Sequence, residues 1–207
     1  QGESVEPLRF KNIDDQSRSS EIVLRPKINK YLIIHADDVG FYHTSTAAVK
    51  ELMDRGTLTS GSIMMPAFDS RNAVAQAIRY GYDSGIHLTM NSEWKNHRWG
   101  PVSERKKVWS LTNFKGNLFK TYLSNYFYTR TSHLEREMNA QVKLAIDLGL
   151  KPSHIDSHMS TIFLKKRWLK AYLRVAKKVQ LPPMLFRKAN LDKSDEADRK
   201  KYGKVLL

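Results

Sequence analysis

The chain has no cysteine, which excludes disulfides and thiolate metal sites. Any metal must be held by His, Asp and Glu. It also lacks an apolar run of about 18 residues, the minimum for a membrane-crossing helix. It has no internal repeat, no low-complexity tract and no nucleic-acid-binding motif. The first ten residues, "QGESVEPLRF", include neither an initiator Met nor the apolar centre of a signal peptide. That start fits a mature end left by cleavage, hence an exported protein, better than a cytoplasmic one. Acidic residues are few beside basic ones, 21 against 35, for a net charge of +14. Such a balance admits polyanionic partners. The basic stretch Lys165 to Lys178 has a plainer explanation, because Trp168, Tyr172, Val175, Ala176 and Val179 form one helical stripe and Lys and Arg fill the other face. A solvated basic face is therefore favoured over a nucleic-acid patch.

With 207 residues and 41% apolar composition, the chain can bury one substantial core. Residues 1 to 29 read as an irregular lead-in, and 30 to 207 as one domain. "YLIIHA" predicts a buried strand over 31 to 36. A helix follows, capped at Thr44 or Ser45 and stopped at Gly56. "LTSGSIMMP" predicts the second strand. Asp69 or Ser70 caps the second helix, which ends at Gly81, and "DSGIHLTM" is the third strand. Residues 91 to 131 show no period, as functional loops often do. "SHLE" from Ser132 to Glu135 has the spacing of a capping box opening a helix that runs to Gly149. "KPSHIDSHM" is a fourth strand, and "PPMLFRKA" a fifth after the basic helix. Alternation of strand and helix implies an α/β fold with a parallel sheet, open or closed into a barrel.

Reactive groups in such folds sit at the carboxyl ends of the strands. There the chain places Asp37 and Asp38, then His87, then His154, Asp156 and His158. The even spacing of the last three puts them on one strand face. Each has an ordinary alternative: a strand His is often a hydrogen-bonded core residue, and Asp38 could cap a helix. Two adjacent carboxylates at a buried strand end nevertheless repel unless a cation or a shared proton relieves them. One carboxylate and two imidazoles from different strands make a three-ligand metal site with open positions. The second aspartate of the pair then serves as ligand. The first is placed to take a proton from a water activated by the ion.

In that order, "ADDVG", "LTSGSIMMP", "GIHLT" and "PSHIDSH" resemble the YdjC-like (ChbG-type) carbohydrate deacetylases over about residues 30 to 190. The resemblance implies a distorted (β/α) TIM-like barrel and metal-dependent removal of N-acetyl groups from amino sugars in short, chitin-type oligosaccharides. It makes Asp37 the base and Asp38, His87 and His158 the ligands of one divalent ion, Mg²⁺ or Zn²⁺. Asp156, His154, Trp94, Trp99 and Arg187 become residues that support the ligands or touch substrate. Loop packing is an equal alternative for Trp94 and Trp99, which could instead stack on sugar rings. The chain departs from the family at Val39, where Phe is common, and at Ser160, where a further His is common. The family domain extends past Leu207 into a segment carrying a His that can act as general acid, so the barrel is expected to be incomplete here. His43 and His154 are the in-chain candidates for that proton. The rival functions are a metal-dependent phosphoesterase acting on nucleic acid or a sugar phosphate, and an inactive glycan-binding homologue. A homodimer is among the assemblies the sequence allows.

Overall fold

The computed structural model describes residues 32–186. Four parallel strands lie side by side in chain order: β1 (His35–Val39), β2 (Ser60–Ile63), β3 (Ser84–Leu88) and β4 (Ile155–Ser157). Helix α1 (His43–Asp54) links β1 to β2, and α2 (Ser70–Tyr80) links β2 to β3. A long segment with α3 (Tyr122–Tyr128) and α4 (Thr131–Asp147) links β3 to β4, and α5 (Lys166–Val179) follows. This is the arc of a (β/α) barrel. Parallel pairing requires such crossovers, and β2, β3 and β4 carry buried residues on both faces, as expected of parallel sheets. No helix among the described residues is long and apolar enough to cross a membrane.

The first strand is displaced from its predicted bounds. Ile33 is 73% exposed, and regular pairing starts only at His35, opposite Ser60. An apolar run reports strand character, whereas register is set by the partner strand. Asp37 and Asp38 therefore lie within β1 rather than after it. Between the pairs Ala36↔Gly61 and Val39↔Ile63, two residues of β1 oppose the single Ser62 of β2. This is a β-bulge, and Asp38 accommodates it with a left-handed φ of 58°. Aspartate tolerates that conformation better than most residues.

The capping box at Ser132 is not formed. Helix α4 begins earlier, with Arg130 as its N-cap, because Ser110 Oγ accepts the Arg130 N–H at 3.0 Å. Glu135 is drawn instead into a two-pronged pair with Arg174 of α5, at 2.9 and 2.6 Å. The predicted stripe of α5 holds, with Trp168, Tyr172, Val175 and Ala176 buried. The fifth strand amounts, among the described residues, to one parallel bridge between Ile155 and Pro183. Pro182 and Pro183 have no N–H to extend a ladder.

The aperiodic segment after β3 is ordered by buried polar anchors. Gln141 of α4 accepts the Thr89 N–H at 2.9 Å and donates to its carbonyl at 2.8 Å. Buried Glu137 accepts the N–H groups of Val102 and Ser103 at 2.8 and 2.9 Å. Burial pushes the Glu137 carboxyl up, and these donors oppose it. They also spare it the cost of an unpaired buried polar group. The exit of β3 is thus held firmly, and it carries the site.

Candidate active site

Four carboxylates and three imidazoles meet where β1, β3 and β4 end. Asp38 Oδ1 lies 3.2 Å from His87 Nε2 and 2.9 Å from His158 Nδ1. One donor atom from each of these residues falls within 4.8 Å of the others. His158 directly follows β4 and is succeeded by Met159 and Ser160, with φ of 50° and 52°. Among the described residues, three of the four non-glycine residues with positive φ are therefore at this site or next to it. Left-handed backbone costs about 1–3 kcal/mol per residue and collects at functional sites.

Each imidazole is held from behind by a second carboxylate. His87 Nδ1 sits 2.8 Å from Asp156 Oδ1, and His158 Nε2 sits 3.1 Å from Glu93 Oε2. Buried Ser62 donates to Asp156 Oδ2 at 2.8 Å and lies 3.0 Å from His87 Nδ1. Such pairing fixes which ring nitrogen faces forward. Burial pulls the His87 imidazole down, but Asp156 and Asp38 outweigh it and hold it up to about 10. Burial acts to raise both carboxyls. The facing histidines prevail and keep Asp38 and Asp156 well below the usual carboxylate range.

Asp38 Oδ1 is buried between ring nitrogens of His158 and His87 at 2.9 and 3.2 Å, yet neither is aligned for a regular hydrogen bond to it. That atom fits a metal ligand. Bonds of about 2.0–2.2 Å at tetrahedral or octahedral angles put donor atoms roughly 3.0–3.5 Å apart, close to the spacing found here. Two nitrogens and one oxygen, without thiolate, suit a catalytic ion with open positions.

Asp37 is 65% exposed at its side chain and lies 3.5 Å from His35 Nε2. One of its oxygens is also within 4.8 Å of His87 and Asp156 donor atoms. His154 shares a layer behind the cluster with His35, their rings 5.1 Å apart edge to face. Burial lowers its pKa, and its Nδ1 is 2.8 Å from Ser153 Oγ. A neutral ring in that setting is a poor proton donor. His43 faces Asp69 at 3.7 Å, outside the groups that gather around Asp38. Trp99 offers no face for a sugar: it is buried, and its Nε1 donates to the Asn91 carbonyl at 2.9 Å. Trp94 is half exposed and packs on Phe41 with ring centroids 5.0 Å apart. Arg187 lies outside the described residues.

His35, Ser62 and Glu93 join the site without having been singled out in the sequence. His35 and Asp37 share a strand parity, a weak signal that was available. Ser62 occupies a strand face opposite the bulge. Glu93 sits in the aperiodic segment, where no spacing rule applies.

Comparison with known proteins identifies the family of the chain. The model of the YdjC-like protein family matches residues 31–205. A carbohydrate deacetylase of Thermus thermophilus is 31% identical over 156 residues, covering 75% of this chain and 53% of the relative. One from Enterococcus faecalis is 29% identical over 163 residues, covering 74% of this chain and 58% of the relative. The chain thus spans between half and three fifths of the curated relatives it matches. A solved structure from E. faecalis V583, described as that of a candidate cellobiose-phosphate cleavage protein, superposes with a TM-score of 0.70 at 24% identity. It covers 84% of this chain and 63% of the other, and shows the shared TIM-like fold. The chain belongs to the YdjC-like family.

Proposed function

We propose that the chain carries the catalytic half-site of a metal-dependent carbohydrate deacetylase, releasing acetate from N-acetylated amino sugars of the chitin-oligosaccharide type. One observation carries this reading: the buried Asp38 Oδ1 converging with His87 Nε2 and His158 Nδ1 without a well-aligned hydrogen bond to either, each ring braced by its own carboxylate. Asp38, His87 and His158 would hold the ion, and two imidazoles with one carboxylate favour Zn²⁺ over Mg²⁺, which prefers oxygen ligands. When bound, the ion supplies a Lewis acid for the acetamide carbonyl and makes a neighbouring water more acidic.

The remaining chemistry belongs to the side chains. Asp37 accepts the proton of the water as its oxygen adds to the carbonyl carbon. The C–N bond then breaks, and the leaving nitrogen needs a proton. Among the described residues, with burial lowering the His154 pKa and His43 turned to Asp69, protonated Asp37 is the group placed to return it. Asp156 and Glu93 keep His87 and His158 from rotating, which preserves the geometry that positioning catalysis demands.

The phosphoesterase alternative draws on the +14 charge and on the description of the E. faecalis neighbour. Against it, the partners of Asp37, Asp38, Glu93 and Asp156 among the described residues are imidazoles and a serine, never Lys or Arg. A phosphate-binding centre would want those cations. The test is Asp37→Asn, with metal content verified and acetate and phosphate release both followed. Acetate turnover should fall about 10²–10⁴-fold with metal retained. Near wild-type acetate release would remove Asp37 as the base, and phosphate release in place of acetate would reverse the choice of reaction.

A further inference from the structure

A second set of metal donors lies on the far side of His87 from Asp38. His35, His154 and Asp156 each offer one ligand atom, and these atoms fall within 4.8 Å of one another. His35 opens β1, and His154 directly precedes β4. His154 and Asp156 are two residues apart on extended chain, so they share a face. Gly85 makes room for the His154 ring. A Cβ at that position would stand 2.3 Å from Nε2 and 2.5 Å from Cε1, so the ring lies directly over the β3 backbone. The Ile86 N–H donates to the His154 carbonyl at 3.0 Å and fixes its main chain. Ser153 Oγ sits 2.8 Å from Nδ1. Outer partners of this kind orient metal-bound imidazoles, and here the contact leaves Nε2 for an ion. His35 Nε2 is 3.6 Å from Asp156 Oδ2, 3.5 Å from Asp37 Oδ1 and 3.2 Å from Ser62 Oγ. The gaps to the carboxylates are long for N–H···O hydrogen bonds. They are close to the separation of neighbouring ligands on one zinc-like ion. Two imidazoles and a carboxylate repeat the donor set found at Asp38. His35 and His154 are both only partly buried, which gives an ion a way in from solvent.

Asp156 links the two sets. Its Oδ1 faces His87 Nδ1 at 2.8 Å, while Oδ2 accepts from Ser62 and faces His35. His87 in turn directs Nε2 to Asp38. A whole imidazole therefore separates the two sets, unlike ion pairs about 3.5–4 Å apart that clamp one substrate oxygen from both sides. We propose that His35, His154 and Asp156 form a second divalent-ion site of the Zn²⁺ class, coupled to the Asp38 site through the Asp156–His87 pair. An ion on Oδ2 draws charge from the carboxylate that braces His87. Each ion thus weakens the other, and the effect is reciprocal. The second site lies where β1 and β4 begin, whereas Asp38 and His158 lie where those strands end. Its ion acts on the centre through Asp156 and not by touching substrate. The proposal needs nothing from the deacetylase reading beyond the ligands of the first ion.

The test is calorimetric Zn²⁺ titration of the full chain after chelator treatment, with bound zinc counted once free ion is removed. No substrate is needed. Wild type should take two ions, the second about 10–100-fold more weakly than the first. His154→Gln and His35→Gln should each take one ion and keep the tight one. Gly85→Ala displaces the His154 ring without deleting it, and it should lose the second ion as well. Asp38→Asn should lose the tight ion. The ion that remains should bind about 10-fold more tightly than the second ion of wild type, because its competitor for Asp156 is gone. A single ion in wild type that is lost in Asp38→Asn overturns the second site. So does a second ion that persists in both His154→Gln and His35→Gln, or one that disappears in His43→Gln, which would trace it to the surface pair of His43 and Asp69. Unchanged affinity of the remaining ion in Asp38→Asn overturns the coupling through Asp156. A single ion that survives Asp38→Asn but not His154→Gln refutes Asp38 as a ligand and upholds the site at His154.

Discussion

Replacing Asp156 by Asn tests how the centre is held. Asp156 is buried and accepts from Ser62 at 2.8 Å, with His87 Nδ1 at 2.8 Å. Asparagine keeps the volume and can still accept from His87 while its amide faces the Ser62 oxygen. The loss is the difference between charge-assisted and neutral hydrogen bonds, about 1–2 kcal/mol of stability. The greater effect falls on the ligand: without the carboxylate, His87 is less basic and less firmly oriented. Metal affinity should drop about 10–100-fold. Asp156→Ala strands His87 Nδ1 and the Ser62 hydroxyl and opens a void, costing about 3–5 kcal/mol. Urea unfolding of chelator-treated protein and calorimetric Zn²⁺ titration read both quantities. A double-mutant cycle with His87→Gln isolates the pair, with a coupling of at least about 1 kcal/mol expected. Additivity within about 0.5 kcal/mol, or Zn²⁺ affinity in Asp156→Asn within twofold of wild type, refutes the claim that Asp156 acts through His87.

Three further outcomes follow from the same geometry. Glu93→Gln should lower Zn²⁺ affinity about tenfold, because the brace on His158 Nε2 loses its charge; unchanged affinity would leave Glu93 a loop residue. Gly85→Ala would set a Cβ 2.3 Å from His154 Nε2, forcing the partly buried ring off its seat. The variant should shift the His35 and His154 imidazole resonances by NMR at a cost of roughly 1–3 kcal/mol, and unmoved resonances contradict the packing. In the metal-free protein, His87 is raised from 6.5 to about 10. Its contribution is therefore complete below pH 6.5 and lost as pH climbs through 10. Asp38 and Asp156 are depressed from 3.8, so theirs is present above that pH and lost as pH falls. The Tm of chelated protein should decline from about pH 6.5 to 10 in wild type and flatten in His87→Gln; parallel curves would exclude His87 as the cause.

Strand ends proved readable because chemistry there is spaced by simple rules. His87, Asp156 and His158 lie on or beside buried strands, where a polar residue needs a reason. The helices were readable from stripes such as Trp168 to Ala176 and from stops such as Gly81, which takes φ 70°. What failed depended on distant partners. Ser132 has cap spacing, but the helix starts two residues earlier, where Ser110 accepts the N–H of the N-cap Arg130. Trp94 and Trp99 look equivalent in sequence, yet only the bond to Asn91 tells which is buried. Glu93 finds His158 across 65 positions of chain, and no local pattern encodes that.

The adjacent aspartates are resolved by the same kind of non-local fact. In a regular strand Asp37 and Asp38 would point to opposite faces, and only one could approach His87. The bulge opposite Ser62 breaks that alternation, so donor atoms of both residues come within 4.8 Å of His87. Charge repulsion between them is met by dividing their partners. Asp38 is enclosed by two imidazoles, whereas Asp37 stays largely in solvent beside His35. The buried carboxylate, held well below the usual range by those rings, is suited to ligate and poorly suited to take up a proton. The exposed one can take up a proton without leaving a buried charge unpaired. One extra residue in one strand thus separates the two roles, ligand and base, that we propose for the pair "DD".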